Sequence, residues 1–101
     1  MAPETENESK NHFSEEEAER SLLRKYYKRL TELGIDTRER GTRLQHVKWM
    51  CLKAEGFVET KKLSRWLGWI QAWLVAENIY GLTEIMDQTR KEMKQYESIS
   101  R

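Results

Sequence analysis

The sequence predicts an all-α fold, a small bundle of about four helices around a Trp-rich central helix. One proline and five glycines in 101 residues leave few interruptions, which favours a few long helices over many short strands. Four segments repeat apolar residues at helical spacing, and a capping residue stands at or near the start of each. Three of the four tryptophans lie within residues 66–73, so we expect the helix that contains them to lie at the centre of the bundle.

Charge is divided unevenly along the chain. Residues 1–19 contain seven Glu and one Lys, whereas residues 20–101 contain seventeen Lys or Arg and ten acidic residues. Residues 1–13 have no apolar periodicity and are expected to form a disordered acidic arm ahead of one helical domain over residues 14–97. The arm lacks the basic and apolar regions of a signal peptide, and the apolar run at residues 66–76 is shorter than the about 20 residues of a membrane span. We therefore expect a cytoplasmic protein without membrane contact.

The first helix is expected near residues 15–33. Ser14 and Glu17 form a capping box at its start, and Gly34 is placed for a left-handed ending with Ile35 folded back on Leu30. One face of this helix is basic. Its residues are Arg20, Arg24, Lys25, Lys28 and Arg29. This strip is either a binding surface for phosphate or nucleic acid, or an ordinary solvated face with internal ion pairs.

The second helix is expected near residues 43–58, with a capping box of Thr42 and Gln45. Cys51 is the only cysteine, which fits a reducing compartment, and its place on the apolar stripe indicates a small buried hydrophobe. His46 is a ligand, a base or a packed ring. Because metal sites need three or four ligands and no suitable spacing is present, we predict no metal site.

The central helix is expected near residues 61–80. Its broad apolar face consists of Leu63, Trp66, Leu67, Ile70, Trp73 and Leu74. The opposite side carries a stripe of mostly small residues, Gly68, Ala72, Val75 and Ile79. A helix that is apolar on two sides needs cover on both, so we predict that this stripe is an interface between copies of the chain. Otherwise the first helix would cover it through Leu22, Tyr26 and Leu30.

Two features of the central helix indicate contacts beyond packing. Lys61, Lys62 and Arg65 fall in its first turns, where cations oppose the helix dipole. These cations indicate an anion site, unless the second and third helices form one continuous helix. The expected N-cap of the third helix is Thr60. Gln71 and Glu77 lie near the tryptophans and could line a ligand pocket. Glu77 would otherwise sit at the rim or pair with an Arg or His46.

The last helix is expected near residues 84–96, with Thr83 as its cap. Its apolar face consists of Ile85, Met86, Thr89, Met93 and Tyr96.

Three segments of the chain resemble a group of small, largely uncharacterised proteins of tailed bacteriophages. They are His46-x-x-Trp49-Met50, the run RWLGWIQA at residues 65–72, and Leu82-Thr83-Glu84-Ile85. In that group the central motif is R-W-L-G-aromatic-I/V-Q-G/A, and the resemblance covers about residues 44–90. It implies a small accessory protein in an infected bacterial cell. It implies no activity and no catalytic residue.

These observations lead us to expect a helical interaction or regulatory protein that acts through protein–protein contacts. Its partners would be further copies of the chain, in a homodimer or other homo-oligomer, or a host protein. One alternative is nucleic-acid binding through residues 20–65, and another is sequestration of a small ligand such as a nucleotide. Since no catalytic or phosphate-binding motif is present, we expect no enzymatic activity and no cofactor.

Overall fold

Four α-helices make up the fold in a computed structural model of the chain, which describes the backbone of residues 2–99 and the side chains of residues 15–96. The helices are α1 (Ala2–Glu32), α2 (Arg43–Glu55), α3 (Thr60–Ala76) and α4 (Leu82–Ile99). No strand occurs among the described residues. The predicted all-α helical bundle is therefore confirmed.

Two helix ends follow the predicted capping chemistry. The Thr42 side chain accepts a hydrogen bond from the Gln45 N–H, and the Gln45 side chain accepts one from the Thr42 N–H. At the end of α1, Gly34 has a φ of 79°, and the N–H of Ile35 donates to the carbonyl of Leu30. This is the Schellman ending, in which a glycine takes the left-handed conformation at low cost.

The start of α1 differs from the prediction. The helical backbone begins at Ala2, so Ser14 lies inside α1 and is not its N-cap. Pro3 is compatible with this start, because the first turn of a helix needs no backbone donor. Met1 and the side chains up to residue 14 lie outside the described part. That residues 1–13 form an arm dispensable for folding stays a prediction.

The ends of α3 also differ from the prediction. Its N-cap is Glu59 rather than Thr60, and α2 stops at Glu55, so the two helices are separate. At the other end α3 stops at Ala76, because Asn78 adopts a φ of 60° and the N–H of Ile79 donates back to the carbonyl of Leu74. Asparagine tolerates this conformation better than other non-glycine residues.

The start of α4 lies one residue before the predicted cap. α4 begins at Leu82, and the Glu84 carboxylate accepts a hydrogen bond from the N–H of Gly81. Thr83 therefore lies inside the helix and does not cap it.

Helix α1 lies at the centre of the bundle, whereas we expected α3 there. α1 packs against all three other helices, while α3 packs mainly on α2 and α4 mainly on α1. The core is apolar and takes residues from every helix. Its largest fully buried side chains are Leu22, Leu23, Tyr26, Leu30, Val47, Cys51, Leu63, Ile70 and Leu74.

The tryptophan face of α3 is only partly core. Leu63, Leu67, Ile70 and Leu74 are buried as predicted. Trp66 is half-buried, with its ring centroid 4.7 Å from that of Phe57 and 6.2 Å from that of Trp49. Trp73, predicted to be core, is 37% exposed because it lies at the edge of the α2–α3 contact.

Candidate functional site

Helices α3 and α4 are adjacent but hardly touch, and an open groove of about 670 Å³ separates them. Helix α3 packs mainly against α2, and α4 packs mainly against α1, so α3 and α4 do not pack closely against each other. The groove is lined by Gly68, Gln71, Ala72, Val75, Leu82, Ile85, Met86, Thr89 and Arg90. An apolar concave surface of this kind is the default candidate for a binding site.

The α3 wall contains most of the predicted interface stripe. Gly68 and Ala72 are exposed and Val75 is half-buried. A methyl group added at Gly68 would meet no atom within 4 Å, so packing within the chain does not require glycine there. Ile79, the fourth predicted residue, is not part of the groove. It follows the end of α3 and packs partly buried against the core. Helix α1 does not cover Gly68 and Ala72, because both are exposed; Leu22, Tyr26 and Leu30 of α1 are buried in the core.

The α4 wall presents large apolar side chains to solvent. Leu82 is 62% exposed and Met86 is 52% exposed, while Ile85 between them is buried. The sequence predicted Ile85 and Met86 on the apolar face of the last helix but did not predict an exposed wall here. Leu82, Met86 and Arg90 recur at four-residue spacing and so share a helix face, but this spacing does not show whether that face is exposed.

Gln71 forms the floor of the groove. Its Nε2 donates to the Tyr26 hydroxyl at 3.1 Å and to Thr89 Oγ1 at 2.8 Å, so it connects α1, α3 and α4. Burial is the main reason that the pKa of Tyr26 is raised, to about 12, so this hydroxyl stays protonated. The amide protons of Gln71, predicted to contact a ligand, are thus already used inside the fold.

Glu77 caps the end of α3 at the rim of the domain. Arg43 Nη1 donates to its carboxylate at 3.0 Å, which is the arginine partner considered from the sequence. The Arg43 guanidinium also lies 4.2 Å from the ring centroid of Trp73. This pair joins α2 to the end of α3. A ligand or partner contact of Glu77 stays a prediction.

His46 is a packed ring. Its Nδ1 lies 2.6 Å from the carbonyl oxygen of Glu39, and since a carbonyl only accepts, Nδ1 carries the proton. The imidazole stacks on Trp49 with centroids 5.4 Å apart. His46 does not line the groove.

The basic strip of α1 is largely engaged within the chain. Arg20 donates to the carbonyls of Glu55 and Phe57 at the end of α2, where cations favour the helix dipole. Arg24 pairs with Glu55 and Lys25 with Glu92. Arg29 pairs with Glu32, whereas Lys28 is exposed and has no ion pair among the described side chains. Four of the five residues therefore already have carboxylate or carbonyl partners.

The start of α3, predicted as an anion site, receives carboxylates from α1. Thr60 Oγ1 donates to Glu16, and Ser64 Oγ donates to Glu19 at 2.7 Å. Burial is the main reason that the pKa of Glu19 is raised. Lys62 lies over the Phe57 ring at 4.6 Å. The first turn of α3 contains no acidic residue of its own. Carboxylates from α1 lie beside it instead, and the local sequence of α3 could not show this.

The described side chains contain no group of three or more His, Cys, Asp or Glu residues that could hold a metal ion. Cys51 is buried, and burial raises the pKa of its thiol to about 12, so it packs as a small hydrophobe, as predicted. Within residues 2–99, no helix has both the length and the apolar character needed to cross a membrane. In comparisons with known proteins, no family model, curated protein or solved structure matches this chain significantly.

Proposed function

We propose that this chain is a small helical interaction protein that acts through protein–protein contacts, and that the groove between α3 and α4 is its contact surface. The observation that carries the proposal is the pairing of two exposed walls. Small residues on α3 face the solvent-exposed Leu82 and Met86 on α4. Such a groove suits the apolar face of a partner helix, whose backbone can approach closely where side chains are small.

The dimensions of the groove fit a helix. From Gly68 to Val75 the α3 wall extends about 10 Å at about 1.5 Å per residue, which is about two turns of a partner helix. Trp69 is 51% exposed and Trp73 37% exposed, and they lie along the outer side of α3. Exposed tryptophans are enriched at the centre of protein interfaces, so they extend the contact surface beyond the groove.

The resemblance to tailed-phage proteins supplies the biological context. The motif residues 65–72 include Gly68, Gln71 and Ala72 of the groove. We therefore propose an accessory or regulatory protein in the cytoplasm of an infected bacterial cell, without enzymatic activity of its own. Further copies of the chain and host proteins are the partners considered.

Nucleic-acid binding has less support than a protein partner. Arg20, Arg24 and Lys25 are held by α2 and α4, so the basic strip offers few unoccupied cations to a phosphate backbone. Lys61 and Arg65 on α3 are exposed and remain available.

A small apolar ligand is a second candidate, because the groove volume lies within the about 300–1,000 Å³ of ligand sites. The nucleotide version of this idea has less support. Arg90 is the one charged residue that lines the groove, and Asp87 pairs with it at 2.9 Å. Native mass spectrometry of protein purified from bacteria tests this candidate, because a bound ligand gives a mass above that of the chain alone.

Site-specific photo-crosslinking tests the proposed function. A photoreactive amino acid replaces Ala72 in the groove, and in a control chain it replaces Lys28 on the exposed side of α1. Both are irradiated in nuclease-treated bacterial lysate. We expect protein adducts at Ala72 that are absent at Lys28 and lost when Met86→Asp is added. Equal patterns at the two positions, or adducts only in lysate without nuclease, would contradict the proposal.

A further inference from the structure

We infer that the outer face of α3 binds single-stranded nucleic acid, with its cations on the phosphates and an exposed tryptophan stacked on a base. The inference goes beyond the proposed function, and its residues do not line the groove. They form an outer row at four-residue spacing, Lys61, Arg65, Trp69 and Trp73, with Lys62 beside it. Residues four apart are neighbours on a helix surface, with about 6 Å between their Cβ atoms. Cations and indole rings therefore follow one another along about 18 Å of α3.

The cations of the outer row are open to solvent. Lys61, Lys62 and Arg65 are exposed, and α3 contains no acidic residue. None of the three has an ion pair among the described side chains. The nitrogen of Lys62 lies over the Phe57 ring, which leaves its charge without an anion. These three cations outnumber Glu59, the exposed carboxylate just before α3.

Two carboxylates of α1 lie beside the start of α3, but on a different side of the helix. They accept hydrogen bonds from the hydroxyls of Thr60 and Ser64. Lys61 and Arg65 each follow one of these residues, and successive residues of an α-helix point about 100° apart around its axis. The carboxylates therefore approach α3 from beside the outer row and do not cover it.

The outer row also presents an open indole. Trp69 is 51% exposed and has no ring or cation partner among the described side chains. Trp73 is less open, because the Arg43 guanidinium lies over its ring and pairs with Glu77. An accessible aromatic ring beside cations is the arrangement by which proteins bind single strands, since bases stack on the ring while the cations contact phosphates.

Single-stranded nucleic acid fits this surface better than other anions do. Each of its units has one phosphate and one base with an accessible flat face, which match a cation and an indole that are neighbours on the helix. A duplex keeps its bases stacked inside and would leave Trp69 uncovered. A run of acidic residues offers carboxylates to the cations but no flat ring to the indole. An anionic membrane needs a broad apolar face to insert, and the apolar face of α3 is buried in the core.

Fluorescence anisotropy with the purified full chain tests the inference. The probes are labelled oligothymidylate and oligouridylate of about twelve nucleotides, and a duplex of the same length. We expect saturable binding of the DNA strand, the RNA strand or both at low salt, and weaker binding of the duplex. With three phosphate contacts at about 0.7 each, the logarithm of the binding constant should fall by about 2 for each tenfold rise in salt. No saturable binding, duplex binding as tight as single-strand binding, or equally effective competition by polyglutamate overturns the inference.

Variants separate the two kinds of contact. Arg65→Ala and Trp69→Ala should each weaken binding about tenfold. Arg65→Ala should also lower the salt dependence by about 0.7, whereas Trp69→Ala should leave it unchanged and Trp69→Phe should recover most of the binding. Lys28→Ala is the matched control, because it removes an exposed cation from α1. Circular dichroism checks that each variant keeps its helix content. A loss with Lys28→Ala as large as that with Arg65→Ala overturns the inference, while protein crosslinks at Ala72 test the proposed function independently.

Discussion

Trp66 and Trp69 are three residues apart on α3 but have different surroundings. Trp66 packs edge-on against Phe57 and beside Trp49, whereas Trp69 is half exposed on the outer side of the helix. Because large-to-small changes cost free energy in proportion to lost packing, Trp66→Ala should lower the free energy of unfolding by about 3 kcal/mol. Trp69→Ala should change it by less than about 0.5 kcal/mol in dilute solution. Urea denaturation measures both, and equal losses would contradict this assignment.

Glu92 and Glu19 are buried carboxyls with opposite pKa shifts. Burial alone would raise the pKa of Glu92, but hydrogen bonds from Lys25 and Ser21, with the charges of Lys25 and Arg24, outweigh burial and lower it below 4.5. For Glu19, burial outweighs the hydrogen bond from Ser64, so its pKa lies above 4.5. The two groups therefore make contributions of opposite sign to stability as the pH changes.

The stabilisation by Glu92 is present above pH 4.5 and is lost as the pH falls through the folded pKa. Glu92→Gln should therefore flatten the acid-side decline in the free energy of unfolding. The contribution of Glu19 is present below pH 4.5 and is lost as the pH rises through its folded pKa. Glu19→Gln should remove that loss. Urea unfolding across about pH 3 to 7 measures both slopes, and the same sign for the two variants would refute the assignment.

Side chains of α1 contact the end of α2 and the start of α3. Arg20 of α1 closes α2 by donating to two backbone carbonyls, and Glu16 and Glu19 of α1 stand at the start of α3. Arg20→Ala should destabilise the fold by about 2 kcal/mol, the scale of hydrogen bonds from a charged group. Arg20→Lys should recover part of this, since lysine lacks the planar fork. Thermal unfolding measures whether stability decreases from the wild type to Arg20→Lys to Arg20→Ala. Lys28→Ala, at an exposed position, is the near-neutral control.

Those same contacts explain which elements the sequence could predict. The Thr42–Gln45 box and the Gly34 ending involve residues within five positions of one another, so local patterns revealed them. Thr60 and Glu16 are 44 positions apart, and no local pattern reports such a pair. The α3 wall of the groove was predictable from its small residues. The α4 wall was not, because its exposure depends on α4 packing against α1 instead of α3.

At the scale of the whole molecule, α1 sets the overall length. Its 31 residues extend about 46 Å at about 1.5 Å per residue, close to the longest dimension of 50 Å. The other helices have 13 to 18 residues and pack along part of α1. Ala18 is the first buried residue among the described side chains, which begin at residue 15.

Deleting residues 1–13 should therefore leave the bundle intact. Ala18, Leu22 and the carboxylates of Glu16 and Glu19 all remain, and a chain that begins at Ser14 regains the capping box of Ser14 and Glu17 at its new helix start. We expect a melting temperature within about 2 °C of the full chain, because every core contact among the described side chains is kept. The deletion also removes three Glu and one Lys, so the comparison is made at high and low salt. A drop of about 8 °C or more at both salt concentrations would mean that the N-terminal segment packs against the bundle. A drop at low salt alone would mean that its acidic charge interacts with the basic part of the chain.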